Sequence, residues 1–72
     1  MLRVVEVSSS RATIEDDEKH RFTFAAVMST YERGEIESAN LVFPRKIAKK
    51  LKKATEEARS AALAAMRQHA AA

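Results

Sequence analysis

The densest group of side chains able to bind a ligand follows Pro44. It contains six cations within nine positions: Arg45, Lys46, Lys49, Lys50, Lys52 and Lys53. Cations at this density create a positive field that attracts phosphates or an acidic protein surface. Only Glu56 and Glu57 offer counter-charges on the same predicted helix, each four residues after a lysine, which is the weaker orientation for such a pair. We predict that these six cations bind a partner or nucleic acid. The alternative is a solvated helix whose lysines only maintain solubility.

An acidic cluster lies earlier in the chain, close to His20. Its members are Glu15, Asp16, Asp17 and Glu18. A calcium loop also needs a glycine and regularly spaced oxygen ligands, which this cluster lacks. We therefore predict a solvated turn and no metal site. The same turn is a candidate contact for the basic helix or for a basic patch on a partner.

The sequence contains no catalytic motif. Its single glycine, Gly34, excludes both a glycine-framed nucleophile turn and a glycine-rich loop that cradles phosphates. The chain has no cysteine, which excludes disulfides and thiolate metal sites. We predict that the protein is not an enzyme and uses no cofactor.

The charge of the chain divides at Pro44. Residues 1–43 carry five basic and eight acidic side chains, for a charge of −3, and residues 44–72 carry eight basic and two acidic, for +6. The formal net charge of +3 therefore conceals a strong charge asymmetry.

The first half of the acidic part has the pattern of short strands. Residues 2–7 are rich in valine, which favours a strand. Three serines at 8–10 form a polar break, residues 12–15 form a second short strand, and residues 16–18 form a turn.

Two structures fit the segment that begins at residue 19. As a strand it places four side chains on one face: Phe22, Phe24, Ala26 and Met28. As a helix it would align Phe24, Val27, Met28 and Tyr31, with Thr23 as its N-cap and Gly34 as its stop. The aromatic and β-branched content favours the strand, followed by a hairpin at residues 32–35 and a further strand over 36–43. We expect the phenylalanines in the core and Tyr31 to be the best candidate for an exposed aromatic contact.

The last predicted element is a basic helix over residues 44–70. Proline suits its first position, and a run of lysine, alanine, leucine, glutamate and arginine follows with high helix propensity. One narrow apolar stripe contains Ile47, Leu51, Ala54, Ala58, Ala61, Ala62 and Ala65. Because alanine buries little area, we expect the core to come from the first two-thirds of the chain. The apolar stripe can dock on the sheet, while the last third of the chain projects from the core or packs on something else and its far end frays or binds a partner.

These elements predict one α+β domain over residues 1–72, with a small antiparallel sheet of three to four strands and one long C-terminal basic helix. No stretch approaches the roughly 20 apolar residues that span a bilayer, and no basic start with an apolar run indicates a signal peptide. We expect a cytoplasmic protein without membrane contact, with a monomer favoured over self-association through the alanine stripe.

In size, charge segregation and use of arginine and alanine over its whole length, the chain resembles small phage-encoded regulators that bind host RNA polymerase. The resemblance rests on layout and on no motif, so no functional residue is transferred. It implies a regulator of transcription that binds a large nucleic-acid-processing machine, most simply RNA polymerase. The alternative is direct, sequence-tolerant binding of DNA or RNA through the basic helix.

Overall fold

The described part of the chain folds as a meander of four strands followed by one helix. The computed structural model describes residues 1–31, 34–42 and 49–71. Its elements are β1 (Arg3–Val7), β2 (Arg11–Glu15), β3 (Arg21–Met28), β4 (Ile36–Leu41), a 3-10 turn (Lys49–Leu51) and α1 (Lys52–Ala71). The sheet has the order β1-β2-β3-β4, with every neighbouring pair antiparallel. The predicted α+β class, with a sheet before a long basic helix, is confirmed.

The serine-rich break and the acidic stretch both form the predicted turns. Between β1 and β2, the Ser8 hydroxyl oxygen accepts bonds from the amides of Ser10 and Arg11, at 3.2 and 3.1 Å. Between β2 and β3, Asp16 Oδ1 accepts bonds from the amides of Glu18 and His20, at 3.0 and 2.8 Å. Short polar side chains that bond to nearby amides stabilise such turns.

The segment that fitted both a strand and a helix is a strand. It pairs along its length with β2 on one side and β4 on the other, so the helical alternative is wrong. Phe22 and Phe24 are buried on one face as predicted, whereas a register shift after Val27 leaves Met28 47% exposed. Beyond β3, Gly34 has a φ of 80°, which favours glycine, and β4 ends at Leu41. Phe43 lies outside the described residues.

Helix α1 lies across one face of the sheet and completes the core. Three of its side chains, Ala58, Ala62 and Met66, are fully covered, and they contact a cluster formed by Ala12, Ile14, Phe22, Phe24, Ile36 and Ala39. The alternative in which the last third of the chain projects from the core is therefore wrong, whereas the predicted docking of the apolar stripe on the sheet is confirmed at Ala58 and Ala62. Alanine buries little area, but its small side chain also allows close approach of the helix to the sheet. Thr55, also buried, donates to the carbonyl of Leu51 at 2.7 Å.

The two ends of α1 lie at opposite ends of the sheet. Its first turns share a groove with the β2–β3 turn, and its last turns share another with Gly34 and Ile36. At the far end, Arg67 donates from Nε and Nη2 to the carbonyl oxygen of Ile36, at 3.1 and 2.8 Å. The helix extends to Ala71, and the predicted start at 44–48 lies outside the described residues. No helix in the described ranges is long and apolar enough to cross a membrane.

Candidate functional site

The predicted cationic site is described in part, as a cluster of exposed lysines. Arg45 and Lys46, like Ile47 of the apolar stripe, lie outside the described residues. The other four residues are exposed and form what we call the lysine cluster: Lys49, Lys50, Lys52 and Lys53. The 3-10 turn and the first turn of α1 place these side chains at one end of the molecule.

The lysine cluster is not neutralised within the described part of the chain. None of its members forms an ion pair there. Glu56, the nearest candidate on the helix, instead accepts a bond from Arg59, whose guanidinium carbon also lies 5.9 Å from the centre of the Phe24 ring. Among the described residues, the positive charge of the cluster therefore has no counter-charge within ion-pair distance.

The acidic β2–β3 turn lies beside the lysine cluster. Both line one shallow groove, formed by Met1, Leu2, Asp16, Asp17, Glu18, Lys50, Leu51, Ala54 and Glu57. No described ion pair joins the two charged groups, because the acids have other partners. Asp17 pairs with the terminal amine of Met1, and Asp16 Oδ2 lies 2.9 Å from Nδ1 of His20. This end of the molecule thus presents both signs of charge side by side.

The hydrogen bonds of Asp16 stabilise its ionised form. Its partial burial raises the pKa of the carboxyl, but bonds from the His20 ring and amide, the His20 charge and the Glu18 amide outweigh this and lower the pKa. Asp16 and Glu18 thus pair with His20, whereas Asp17 pairs with the terminal amine. Over the described residues, no group of three or more such side chains is arranged to hold a metal ion.

The face of the sheet opposite α1, here called the open face, is a second candidate surface. No described element covers it. Alternation along the paired strands assigns to it Arg3, Glu6, Arg11, Thr13, Glu15, Arg21, Thr23, Ala25, Val27, Ser38 and Asn40. Its side chains are therefore mostly polar or charged, unlike those of the face that contacts the helix.

A carboxylate held between two arginines dominates the open face. Arg3 Nη2 donates to Glu15 Oε1 at 2.8 Å, and Arg21 Nε donates to Glu15 Oε2 at 3.0 Å. The Glu15 side chain is 7% exposed, whereas those of Arg3 and Arg21 are 66% and 61% exposed. The hydrogen bond from Arg21 is the main cause that lowers the pKa of Glu15; burial opposes it, and Arg3 and Lys19 lower it further.

Sequence reasoning missed this trio because it grouped Glu15 with the acids that follow it. The alternation of side chains along a strand separates Glu15 from the acids of the turn. Glu15 follows the core residue Ile14 and therefore lies on the opposite face of the sheet. Its partners, however, depend on the pairing of three strands. Next to the trio, the hydroxyls of Thr13 and Thr23 bond to each other at 2.9 Å.

The aromatic residues divide as predicted among the described positions. Phe22 and Phe24 are in the core, while Tyr31 is 95% exposed near the β3–β4 connection. Comparison with models of known families, with curated proteins and with solved structures finds no match to this chain. Its function must therefore be inferred from the surfaces themselves.

Proposed function

We propose that the chain is a non-enzymatic binding protein that attaches to a large nucleic-acid-processing machine, RNA polymerase first among them, and modulates transcription. The observation that carries the proposal is the lysine cluster, which is exposed and without an ion pair among the described residues. Such a field accelerates encounter with an acidic surface and orients the docked partner. RNA polymerase is chosen because of the resemblance in size and charge layout.

The neighbouring acidic turn favours a protein over a nucleic acid as the partner of this end. Asp17 and Glu18 line the same groove as Lys50, and they would repel the phosphates of a duplex that contacted the cluster. A protein surface that carries both signs of charge fits the arrangement and fixes one orientation. We place this encounter in the cytoplasm, where such a machine operates.

A pulldown with a charge-matched control tests the proposal. The tagged full chain is used as bait in a nuclease-treated bacterial lysate, and RNA polymerase subunits are quantified by mass spectrometry. Lys50→Gln/Lys53→Gln removes two charges from the cluster and should reduce their recovery at least about tenfold, which corresponds to about 1.4 kcal/mol. Ser60→Glu/Gln68→Glu lowers the net charge by the same amount at exposed positions farther along α1 and should leave recovery unchanged.

Two results would reject the proposal. One is the failure of the unmodified chain to retain RNA polymerase or any other defined nucleic-acid-processing complex. The other is an equal loss of recovery for the lysine and control variants, because net charge alone would then explain binding. The first result includes recovery that is seen only without nuclease treatment, since the contact would then pass through nucleic acid.

A further inference from the structure

We infer that the open face is a second binding surface, and that it contacts the phosphate backbone of duplex DNA through Arg3 and Arg21. The inference does not rest on the proposed attachment to RNA polymerase. It concerns other residues, on the side of the sheet that α1 does not cover. Three properties of this face carry it: arginines with unused donors, an excess of positive charge, and a lack of large apolar side chains.

Glu15 positions the two arginines without consuming their donors. Arg3 uses only Nη2 and Arg21 only Nε in their bonds to Glu15, so the remaining guanidinium N–H groups have no hydrogen-bond partner within residues 1–31, 34–42 and 49–71. Both side chains are more than half exposed. An arginine already fixed by a carboxylate loses less rotamer freedom when it binds phosphate, and its planar fork matches phosphate oxygens.

The open face is positive although the first 43 residues are net acidic. By strand alternation it carries three arginines and two glutamates, and Lys19 Nζ adds a fourth cation 3.8 Å from Glu15. The remaining acids of the β2–β3 turn are outside the set assigned to the open face: Asp16 and Glu18 pair with the ring of His20, and Asp17 pairs with the terminal amine. The excess of two positive charges makes an anion the complementary ligand.

The composition of the face favours nucleic acid over protein. Protein interfaces depend on buried aromatic or large aliphatic anchors, and the described members of the open face include no aromatic residue. Their apolar side chains are those of Ala25, Val27 and Val42, the last of which lies opposite Thr23 just after β4. The same lack disfavours single strands, whose bases stack on aromatic side chains. Phosphate contact with a duplex requires neither.

The dimensions of the face support contact with the backbone of a duplex. Arg3 and Arg21 lie on strands that flank β2, so their Cα atoms are roughly 10 Å apart. Their guanidinium groups converge on the carboxylate of Glu15 and therefore present their remaining donors side by side to the backbone of a duplex. Duplex RNA is recognised largely through its 2′-hydroxyls, whereas the charged guanidinium groups of this face match phosphate oxygens. We therefore assign the face to DNA, with little expected preference for sequence.

Mobility shift with a random-sequence DNA duplex, measured over a series of salt concentrations, tests this inference. We expect a shift in low salt that weakens steeply as salt rises. Arg3→Gln/Arg21→Gln should weaken binding at least about tenfold and reduce the slope of log K against log salt by about two, since two phosphate contacts are lost. Lys50→Gln/Lys53→Gln removes the same charge from the other surface and should change the slope much less.

A second arginine variant tests whether a loss of DNA binding results from misfolding. Removing both arginines leaves the Glu15 carboxylate without its hydrogen-bond donors, so Arg3→Gln/Glu15→Gln/Arg21→Gln neutralises all three residues together. If it unfolds cooperatively like the unmodified chain, it should show the same loss of slope. Arg3→Lys/Arg21→Lys keeps the two charges but removes the planar guanidinium groups. Its affinity for DNA should lie between that of the unmodified chain and that of the triple variant.

Four outcomes would overturn the inference. The first is that DNA shows no shift in low salt, and the second is that the folded triple variant keeps the affinity and salt slope of the unmodified chain. The third is that duplex RNA binds as tightly as DNA. The fourth is that the arginine variants lose recovery of RNA polymerase in nuclease-treated lysate. The last would mean that the open face contacts protein. Because the lysine and arginine pairs are tested in both assays, failure of either surface is distinguishable from failure of the other.

Discussion

The two faces of the sheet are made by the same strands but depend on different physical interactions. The face against α1 buries Ile14 and Phe24 completely, and its stability comes from apolar area removed from water. On the open face, the exposed guanidinium groups of Arg3 and Arg21 bond to the buried carboxylate of Glu15. Ion pairs with exposed partners contribute less to folding than the burial of large apolar side chains, so the fold constrains the residues of the open face less strongly than those of the core.

The difference teaches where binding function is most easily placed in so small a protein. A chain of 72 residues must use one face of its sheet for its core, because it buries only about three-fifths of its unfolded surface. The other face is left for recognition. The predictions that follow test this separation by comparing substitutions on the covered face, at the helix anchor and on the open face.

The largest effect on stability is expected from a substitution on the covered face, which is the face of the sheet that contacts α1. Phe24→Ala removes a ring that is fully buried between the sheet and α1, and should lower the free energy of unfolding by about 3–5 kcal/mol. Urea denaturation followed by circular dichroism measures this. A loss below about 1 kcal/mol would mean that the core tolerates the cavity, and the contrast between the faces would fail.

The next effect concerns the anchor that holds the end of α1 over the covered face. Arg67→Met keeps the apolar stem but removes both donors to the Ile36 carbonyl, and should cost about 1–2 kcal/mol in the same assay. The neighbouring Gln68→Ala, at an exposed helical position, serves as the control and should change little. Equal effects of the two substitutions would show that the bonds to Ile36 do not stabilise the fold.

Glu15 supplies a pH-dependent test on the open face. Its pKa is lower in the folded chain than in the unfolded one, so its contribution to stability is complete above the unfolded value of about 4.3 and is lost as pH falls through the folded pKa. Glu15→Gln should therefore be less stable than the unmodified chain at pH 7, and the difference should shrink in acid.

The measurement is the midpoint of urea unfolding for both chains between about pH 7 and pH 2. Glu6→Gln is the control, because Glu6 lies on the same face and has no ion pair in the described part of the chain. A difference for Glu15→Gln that stays constant over the whole range would contradict the assignment of its stabilising role to the ionised carboxylate.

The smallest effect is expected at the hydroxyl pair. Thr13→Val removes one partner of the bond to Thr23 while keeping the shape and strand propensity of the side chain. Because the pair is only half-buried, we expect a change within about 0.5 kcal/mol. A loss comparable to that of Phe24→Ala would show that the open face also supports the fold, which would remove the distinction between the two surfaces.

The sequence was sufficient to predict the local elements but not the way they meet. The alternation of Phe22 and Phe24 and the turns at Ser8 and Asp16 depend on neighbouring residues, so their patterns predicted the strands and hairpins. The projection of the last third of the chain from the core was predicted wrongly, because the burial of Ala58 depends on how closely the helix approaches the sheet.

The open-face site could not be predicted for a related reason. Arg3, Glu15 and Arg21 lie on three different strands, and the irregular pairing between Val4 and Glu6 shifts the register of β1. Residue types and spacing do not specify such a shift. The lysine cluster, in contrast, lies within consecutive turns, so its position at one end of a helix followed directly from the sequence.

The order of the strands has a consequence for how the chain reaches this structure. Because each strand pairs with its immediate predecessor, the sheet is assembled from local hairpins, which form within roughly 1–10 μs. Only α1 must make contacts over a long separation, from Met66 back to Ile14. We expect a single folding phase whose transition state depends on the docking of α1, and Met66→Ala should slow refolding more than it accelerates unfolding. Met66, the last buried residue of α1, would then determine the rate at which the paired strands reach the stable folded state.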